Sequence, residues 1–235
     1  MALPPSGTTD EAFLREVDEE YRRERLLSIW RNYGRWIIGA VVAALIALAG
    51  FLYWQHYQEG AAGKAGEQYD AAVRLAEQGQ LDKAATEFAK LADRNDGFGA
   101  LSRIAQGNLL LQKNDTKGAV ARFASVAGDQ SVEKPFRDLA LIRQTVAEFD
   151  TLKPQVVIDR LKPLTDPNSP WLGTAGELVA SAYLKAGDRK AAGQMFGQIA
   201  QGGEKVPQSV RARAVQLAGV LGVDAIDQSK ETKAQ

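Results

Sequence analysis

The side chains that could carry out chemistry are few and scattered in this sequence. There is one histidine, His56, and no cysteine, which excludes a histidine-based triad, a multi-histidine metal site, a thiol nucleophile and a disulfide framework. The carboxylates are dispersed, and the H-E-x-x-H, G-x-S-x-G and phosphate-loop motifs are absent from the sequence. His56 lies among Tyr53, Tyr57 and Glu59, so we interpret it as a residue at lipid headgroup level. We therefore expect no enzyme activity, no cofactor, no metal and no small-molecule substrate.

The charge balance bears on which partners the chain can bind. Its 235 residues contain 29 basic and 29 acidic side chains, so the formal net charge is zero. Binding to nucleic acid requires an excess of Lys and Arg on one face. We expect no nucleic-acid partner.

A long uncharged stretch, Trp36 to Gln58, lies near the start of the chain. As a helix its 23 residues would span roughly 34 Å, enough to cross a bilayer core of about 30 Å. A buried core helix and a cleaved signal peptide are the alternatives, but the stretch is apolar on every face and follows a long polar segment. We therefore predict a transmembrane helix at 36–58, with charged and aromatic anchors at the membrane interface: Arg31, Arg35, Trp36, Tyr53 and Trp54.

The flanking charges predict the orientation of this helix. Five arginines fall in the fifteen residues before Trp36, whereas only Lys64 falls in the fifteen after Trp54. Positive residues resist translocation. Residues 1–35 are therefore predicted to be cytoplasmic, and the domain after the membrane is predicted to be periplasmic in a bacterium with two membranes.

The segment before the membrane has its own helical signal. Thr8 and Glu11 have the spacing of a capping box, and the apolar residues that follow share one side of a helix: Phe13, Leu14, Val17 and Tyr21. This amphipathic helix could dock on a partner or on the membrane surface, or it could be a solvated lead-in. The pattern leaves the three open.

The rest of the chain repeats itself with a near-constant period. Two segments have the pattern G-x-x-x-x-A-x-x-x-F, a third has Asn114 in place of the Gly, and a fourth matches more loosely. When they are aligned, their small or β-branched positions are Ala84, Ala119, Val157 and Ala192. They also align larger positions at Phe88, Phe123, Leu161 and Phe196. Successive spacings are 35, 38 and 35 residues, close to the tetratricopeptide unit of about 34 residues.

Each of these segments follows another predicted helix, at 65–78, 98–112, 135–149 and 172–186. Pro163 predicts a short second helix in the third pair. A stripe of apolar residues after Pro207 predicts a terminal helix that caps the end of the solenoid. The predicted fold is all-α: one transmembrane helix, then a tetratricopeptide-like α-solenoid of about four helix pairs plus the cap. The solenoid domain is predicted at 59–222, and a disordered tail at 223–235.

A solenoid of helix pairs presents a concave face built from the first helix of each pair. Its mixed apolar and polar lining suits an extended peptide or a partner's helix, although any one of its apolar members could equally belong to the core. The candidate groove residues are Tyr69, Ile104, Asn108, Ile142, Val146, Glu177 and Ser181.

The sequence also resembles a bacterial family, the YfgM-like proteins, which are ancillary subunits of the Sec translocon with a tetratricopeptide-repeat-like domain. The resemblance rests on DEEYRRERLLSIWRNYGRWIIG (18–39), YWQ at the exit of the apolar helix (53–55) and FGALSRIAQG (98–107). It implies an inner-membrane protein whose partners are the translocon, a membrane-anchored periplasmic chaperone and exported chains. It transfers no catalytic residue.

Two other functions remain open at this point. One is a structural assembly factor for another envelope complex, such as those of outer-membrane protein biogenesis or division. The other is a membrane-linked enzyme or signalling regulator, which would need a catalytic group that the sequence does not offer.

Overall fold

A computed structural model of the protein describes residues 8–225, with side chains described from residue 31 onward except at 32, 37 and 58–61. All regular elements within this part of the chain are helical. The chain divides into two compact units, Met1–Lys64 and Ala65–Gln235. The first helix, α1, is Thr8–Glu77, so helix ends do not mark the divisions predicted at residues 35 and 58.

The first unit exposes its apolar side chains. Trp36, Leu45 and Trp54 are 69%, 59% and 58% exposed, and none of the most apolar stretch of Tyr33–Glu77 is buried. A core helix would be covered by the rest of the chain, so that alternative is wrong. By length and composition this helix can cross a membrane. The predicted anchors Arg31, Arg35, Trp36, Tyr53 and Trp54 are all exposed, and their role as anchors stays a prediction.

The side chains of the predicted amphipathic stripe and of the capping box lie outside the residues whose side chains are described. The helix is described from Thr8 onward, and the capping box stays a prediction.

The second unit is a succession of helices that follow the predicted pairs. After the end of α1 come α2 (Leu81–Ala92), α3 (Gly97–Gln112), α4 (Thr116–Ala127), α5 (Lys134–Glu148), α6 (Pro154–Leu161), α7 (Leu172–Lys185), α8 (Arg189–Ala200) and α9 (Gln208–Val220). Asp96, Asp115 and Asp188 cap α3, α4 and α8 by accepting hydrogen bonds from backbone N–H groups three residues later. From α2 to α9 each helix packs closely on the next in chain order, except that α5 and α6 approach at few points; such packing between chain neighbours is expected of a solenoid.

The aligned sequence positions form the core of this solenoid. All eight are at most 3% exposed: Ala84, Ala119, Val157, Ala192, Phe88, Phe123, Leu161 and Phe196. The small members allow two helices to approach closely, and the large members fill the space that remains. The predicted register of the repeats is therefore confirmed.

Gly107 shows how tight this approach is. A Cβ atom added to it would lie 2.5 Å from Cε1 of Phe123, so only glycine fits there without moving the ring. The same position is held by Ala72 and Ala180, both 0% exposed, in the first and fourth pairs.

The structure confirms the short second helix of the third pair. α6 has 8 residues, and the chain continues as a 3₁₀ turn over Lys162–Leu164 that contains Pro163. Proline lacks the N–H that would continue the helical ladder.

The end of the domain differs from the prediction. Val223 packs against the last core cluster, and Ala225 is only 7% exposed. The predicted disordered tail is therefore wrong for 223–225, because these residues cover the glycines of α8: a Cβ on Gly193 would lie 2.8 Å from Cγ2 of Val223. The rest of that prediction, 226–235, lies outside the described residues.

Candidate functional site

The predicted groove residues lie on the first helices of the pairs, but they do not form one accessible surface. Ile104 and Ile142 are 4% and 3% exposed and belong to core clusters, so a partner cannot reach them. Val146 is 48% exposed. The other four are half-buried: Tyr69, Asn108, Glu177 and Ser181.

A second set of first-helix residues was missed by the sequence reasoning. These residues lie three positions after Val73, Asn108, Val146 and Ser181, at equivalent places in the four repeats, and all of them are apolar. Leu184 is 39% exposed and the others are half-buried. We call this set the apolar column: Ala76, Leu111, Phe149 and Leu184.

The signal that could have found the column is the repeat spacing itself. Leu111, Phe149 and Leu184 are separated by 38 and 35 residues, the same steps that separate the core positions. Residues three apart on a helix lie on the same side, so Val146 is beside Phe149. We call Val146 and the column together the apolar strip. Val146 and Leu184 are its exposed members, whereas Ala76, Leu111 and Phe149 also pack against core clusters. Exposed apolar side chains of this kind suit the apolar side chains of a protein partner.

Two polar members of the predicted groove, Glu177 and Ser181, are engaged within the chain. Arg213 of α9 donates to Oε1 of Glu177 from Nε at 2.9 Å and from Nη2 at 2.5 Å. The Ser181 hydroxyl donates to the backbone oxygen of Glu177 at 2.8 Å. The Arg213 contact links α9 to α7, whereas the Ser181 bond lies within α7.

Tyr69 is packed among aromatic rings at the other end. Its ring centroid lies 5.3 Å from that of Phe88 and 6.1 Å from that of Phe98, both in tilted arrangements. Burial raises the pKa of the Tyr69 hydroxyl, and the nearby charge of Asp70 raises it further. A neutral, half-buried tyrosine of this kind stabilises the packing of the first helix pair against α3.

A polar cleft lies between α3 and the loop before α5. Nη1 of Arg103 donates to Oδ2 of Asp129 at 2.9 Å, and Ser131 donates to Oδ1 from its hydroxyl at 2.6 Å and from its backbone N–H at 3.0 Å. Ser131 and Arg103 together lower the pKa of Asp129 to about 2. These contacts hold the loop between α4 and α5, which leads into the third helix pair.

We expect these contacts to give the domain a defined response to acid. Because the pKa of Asp129 is lowered on folding, the stability that it contributes is complete above its ordinary pKa of about 4 and is lost as pH falls towards 2. The variant Asp129→Asn should therefore show a shallower loss of thermal stability over this pH range, as well as a lower melting temperature at neutral pH.

The measurement is circular dichroism of the full chain in detergent from pH 5 downward, at intervals of about one pH unit. Asp93→Asn, which neutralises an exposed carboxylate in the preceding repeat, is the control and should follow the unmodified protein. If Asp129→Asn also follows it throughout, the ion pair does not contribute to stability.

Comparison with known proteins agrees with this architecture. A family model described as a tetratricopeptide repeat-like domain matches residues 28–217. The chain belongs to this tetratricopeptide repeat-like domain family. No solved structure matches it significantly.

Two curated relatives resemble this family member over most of its length. A protein of Haemophilus influenzae is 22% identical over 195 residues, which cover 83% of this chain and 94% of the relative. One of Escherichia coli K12 is 26% identical over 179 residues, which cover 74% of this chain and 84% of the relative. Both relatives are named ancillary SecYEG translocon subunits, so the resemblance found in the sequence is confirmed.

This tetratricopeptide repeat-like protein departs from regularity in its third pair. The spacing places Thr145 where the other pairs have Ala72, Gly107 and Ala180, and Thr145 is fully buried, with its hydroxyl donating to the Leu141 oxygen at 2.8 Å. Val157 is buried in α6, at the position where the other second helices have Ala84, Ala119 and Ala192. Two β-branched residues therefore occupy the positions where the other pairs have alanine or glycine.

Proposed function

We propose that the protein is a membrane-anchored, non-catalytic scaffold that binds protein partners through the first helices of its repeats. The observation that carries this role is the apolar column, together with exposed Val146 beside it. A strip of apolar side chains on rigid helices suits an amphipathic helix or an extended apolar segment. The absence of a strong charge on it favours partners chosen by shape and apolar contact.

We further propose that these partners are those of the Sec translocon. Support comes from the two relatives named ancillary SecYEG translocon subunits and from the shared domain family. Newly exported chains expose apolar segments before they fold, and the apolar column offers the matching chemistry. A membrane-anchored periplasmic chaperone would act on the same clients.

The proposed topology has the N-terminus in the cytoplasm and the repeat domain in the periplasm of an inner-membrane, single-pass protein. It is supported by the five arginines before Trp36 and the single Lys64 after Trp54. A phosphatase that is active only in the periplasm, fused to the C-terminus of the full chain, should be active. Activity of a cytoplasm-dependent reporter at the same place would contradict the topology.

Site-specific photocrosslinking in native membranes tests the binding role. A photoreactive residue replacing Val146 or Leu184 should form adducts with translocon subunits, the chaperone or exported chains, because both side chains are exposed on the apolar strip. Mass spectrometry identifies the adducts. The matched control replaces Ser125 or Gln194, which are exposed on second helices.

The expected result is that adducts form from the first-helix positions and not from the second-helix positions. Equal labelling from both would contradict the proposed surface. Adducts dominated by proteins of outer-membrane biogenesis or division would instead support the assembly-factor alternative.

A further inference from the structure

The third helix pair is packed differently from its neighbours. In the second and fourth pairs the two helices lie closely against each other, whereas α5 and α6 approach closely at few points. Both helices pack closely on their outer neighbours, α5 on α4 and α6 on α7. The repeat domain is one compact unit, but within it residues 65–148 and 154–225 are each packed more closely than they are packed against each other at α5 and α6. We call these two parts the first and the second block.

The side chains at this boundary explain the wider separation. Thr145 and Val157 replace the small residues that bring the other helix pairs together. Glu148 stands where the other first helices carry Leu75, Leu110 and Tyr183. It accepts a hydrogen bond from Nη1 of Arg160 of α6 at 2.6 Å, and both side chains are about one-fifth exposed.

Apolar contact across the boundary is present but comes from few side chains. Ile142 is the buried residue that α5 contributes to the cluster otherwise built from α6, the following 3₁₀ turn and α7, and Leu141 and Phe149 pack against that cluster. Apolar contact is non-directional, so it tolerates small shifts between the blocks. A partly buried ion pair adds little net stability but favours one relative placement.

A lysine from the second block binds the segment that joins the two blocks. Nζ of Lys185 at the end of α7 donates to the backbone oxygens of Phe149 at 3.0 Å, Asp150 at 2.9 Å and Leu152 at 3.4 Å. It also lies 5.5 Å from the centre of the Phe149 ring. A cation near the last carbonyls of a helix satisfies acceptors that the helix leaves open.

We propose that the α5–α6 boundary is a joint about which the two blocks change their relative placement, and that Lys185 with the Glu148–Arg160 pair is the latch that holds it closed. The latch contacts are electrostatic and Lys185 is exposed, so salt weakens them. The apolar column crosses the joint at Phe149. Opening the joint changes the spacing between the two halves of that column.

Distances between paired spin labels test the joint in the full chain. The protein has no cysteine, so labels attach only at introduced ones. Ser125→Cys with Gln194→Cys reports across the joint, and Lys83→Cys with Ser125→Cys reports within the first block; all three residues are exposed. The variant that weakens the latch is Lys185→Gln. The control is Lys190→Gln, which removes the same charge from an exposed position on α8.

We expect Lys185→Gln, and also about 0.5 M salt in the unmodified protein, to broaden the distance distribution across the joint but not within the block. Lys190→Gln should leave both distributions unchanged. Hydrogen exchange of the Thr151 and Leu152 amides, which bond to the Glu148 oxygen, should become roughly tenfold faster in Lys185→Gln. The proposal fails if the distance distribution across the joint is no wider than the distribution within the first block, and if neither salt nor Lys185→Gln alters it.

Discussion

Phe123→Ala should lower the free energy of unfolding of the repeat domain by about 3–5 kcal/mol. The ring is fully buried in the cluster that joins α3, α4 and α5. Gly107 lies directly against it, and a glycine has no side chain that could move into the space left by the ring. Domains of ordinary stability have only about 5–15 kcal/mol in total, so the variant should unfold at a much lower denaturant concentration. Urea unfolding of the full chain in detergent measures the change.

Two matched variants distinguish the loss of core packing from a nonspecific effect of substituting a residue in α4. Phe123→Leu places in α4 the residue that the third repeat carries at Leu161, and it should cost less than about 1.5 kcal/mol. Arg122→Ala removes an exposed neighbour and should stay within about 0.5 kcal/mol. If Phe123→Ala were no more costly than Arg122→Ala, the aligned aromatic positions would not form the core.

Leu45→Arg should remove most of the chain from the membrane fraction. Leu45 lies in the middle of the apolar stretch of α1 and is 59% exposed, so the part of the chain that the structure describes does not cover it. A charged residue at the centre of a spanning helix costs about 2.5–3.5 kcal/mol on insertion scales. Extraction of membranes with alkaline carbonate, followed by immunodetection, measures the integrated fraction.

The control places the same charge at the membrane boundary. Tyr57→Arg changes a 69% exposed residue near the end of the stretch, where a long side chain can reach the headgroup region, and membrane integration should persist. Leu45→Ile should also integrate normally. Full integration of Leu45→Arg would mean that α1 does not cross the bilayer at this place.

The repeat core could be predicted from the sequence because its signal is periodic. Ala84 and Phe88 recur in register along the chain, and helix packing needs a small and a large residue at just those places. Pro163 likewise predicted the end of α6, because its missing N–H acts locally whatever surrounds it. Features that depend on local chemistry or on a period can be recognised from the order of the residues alone.

The surface of the site was harder to predict. Ile104 and Val146 were both assigned to the groove, yet one is 4% and the other 48% exposed. Exposure depends on how far neighbouring helices turn and approach, and the sequence does not encode this at any one position. Thr145 was missed for a related reason: it is a β-branched polar residue at a small position, and its burial becomes clear only when its hydroxyl is seen bonded to the Leu141 oxygen.

The covering of α8 by Val223 and Ala225 bears on how the domain forms during biosynthesis. Each helix packs mainly on its chain neighbours, so the repeats can fold one after another as the ribosome extends the chain. The glycine-lined surface of α8 is covered by Val223, which follows α9 in the chain. This apolar surface therefore stays open until the residues after α9 have been synthesised, and a nascent chain that lacks them would keep it open to association with other chains.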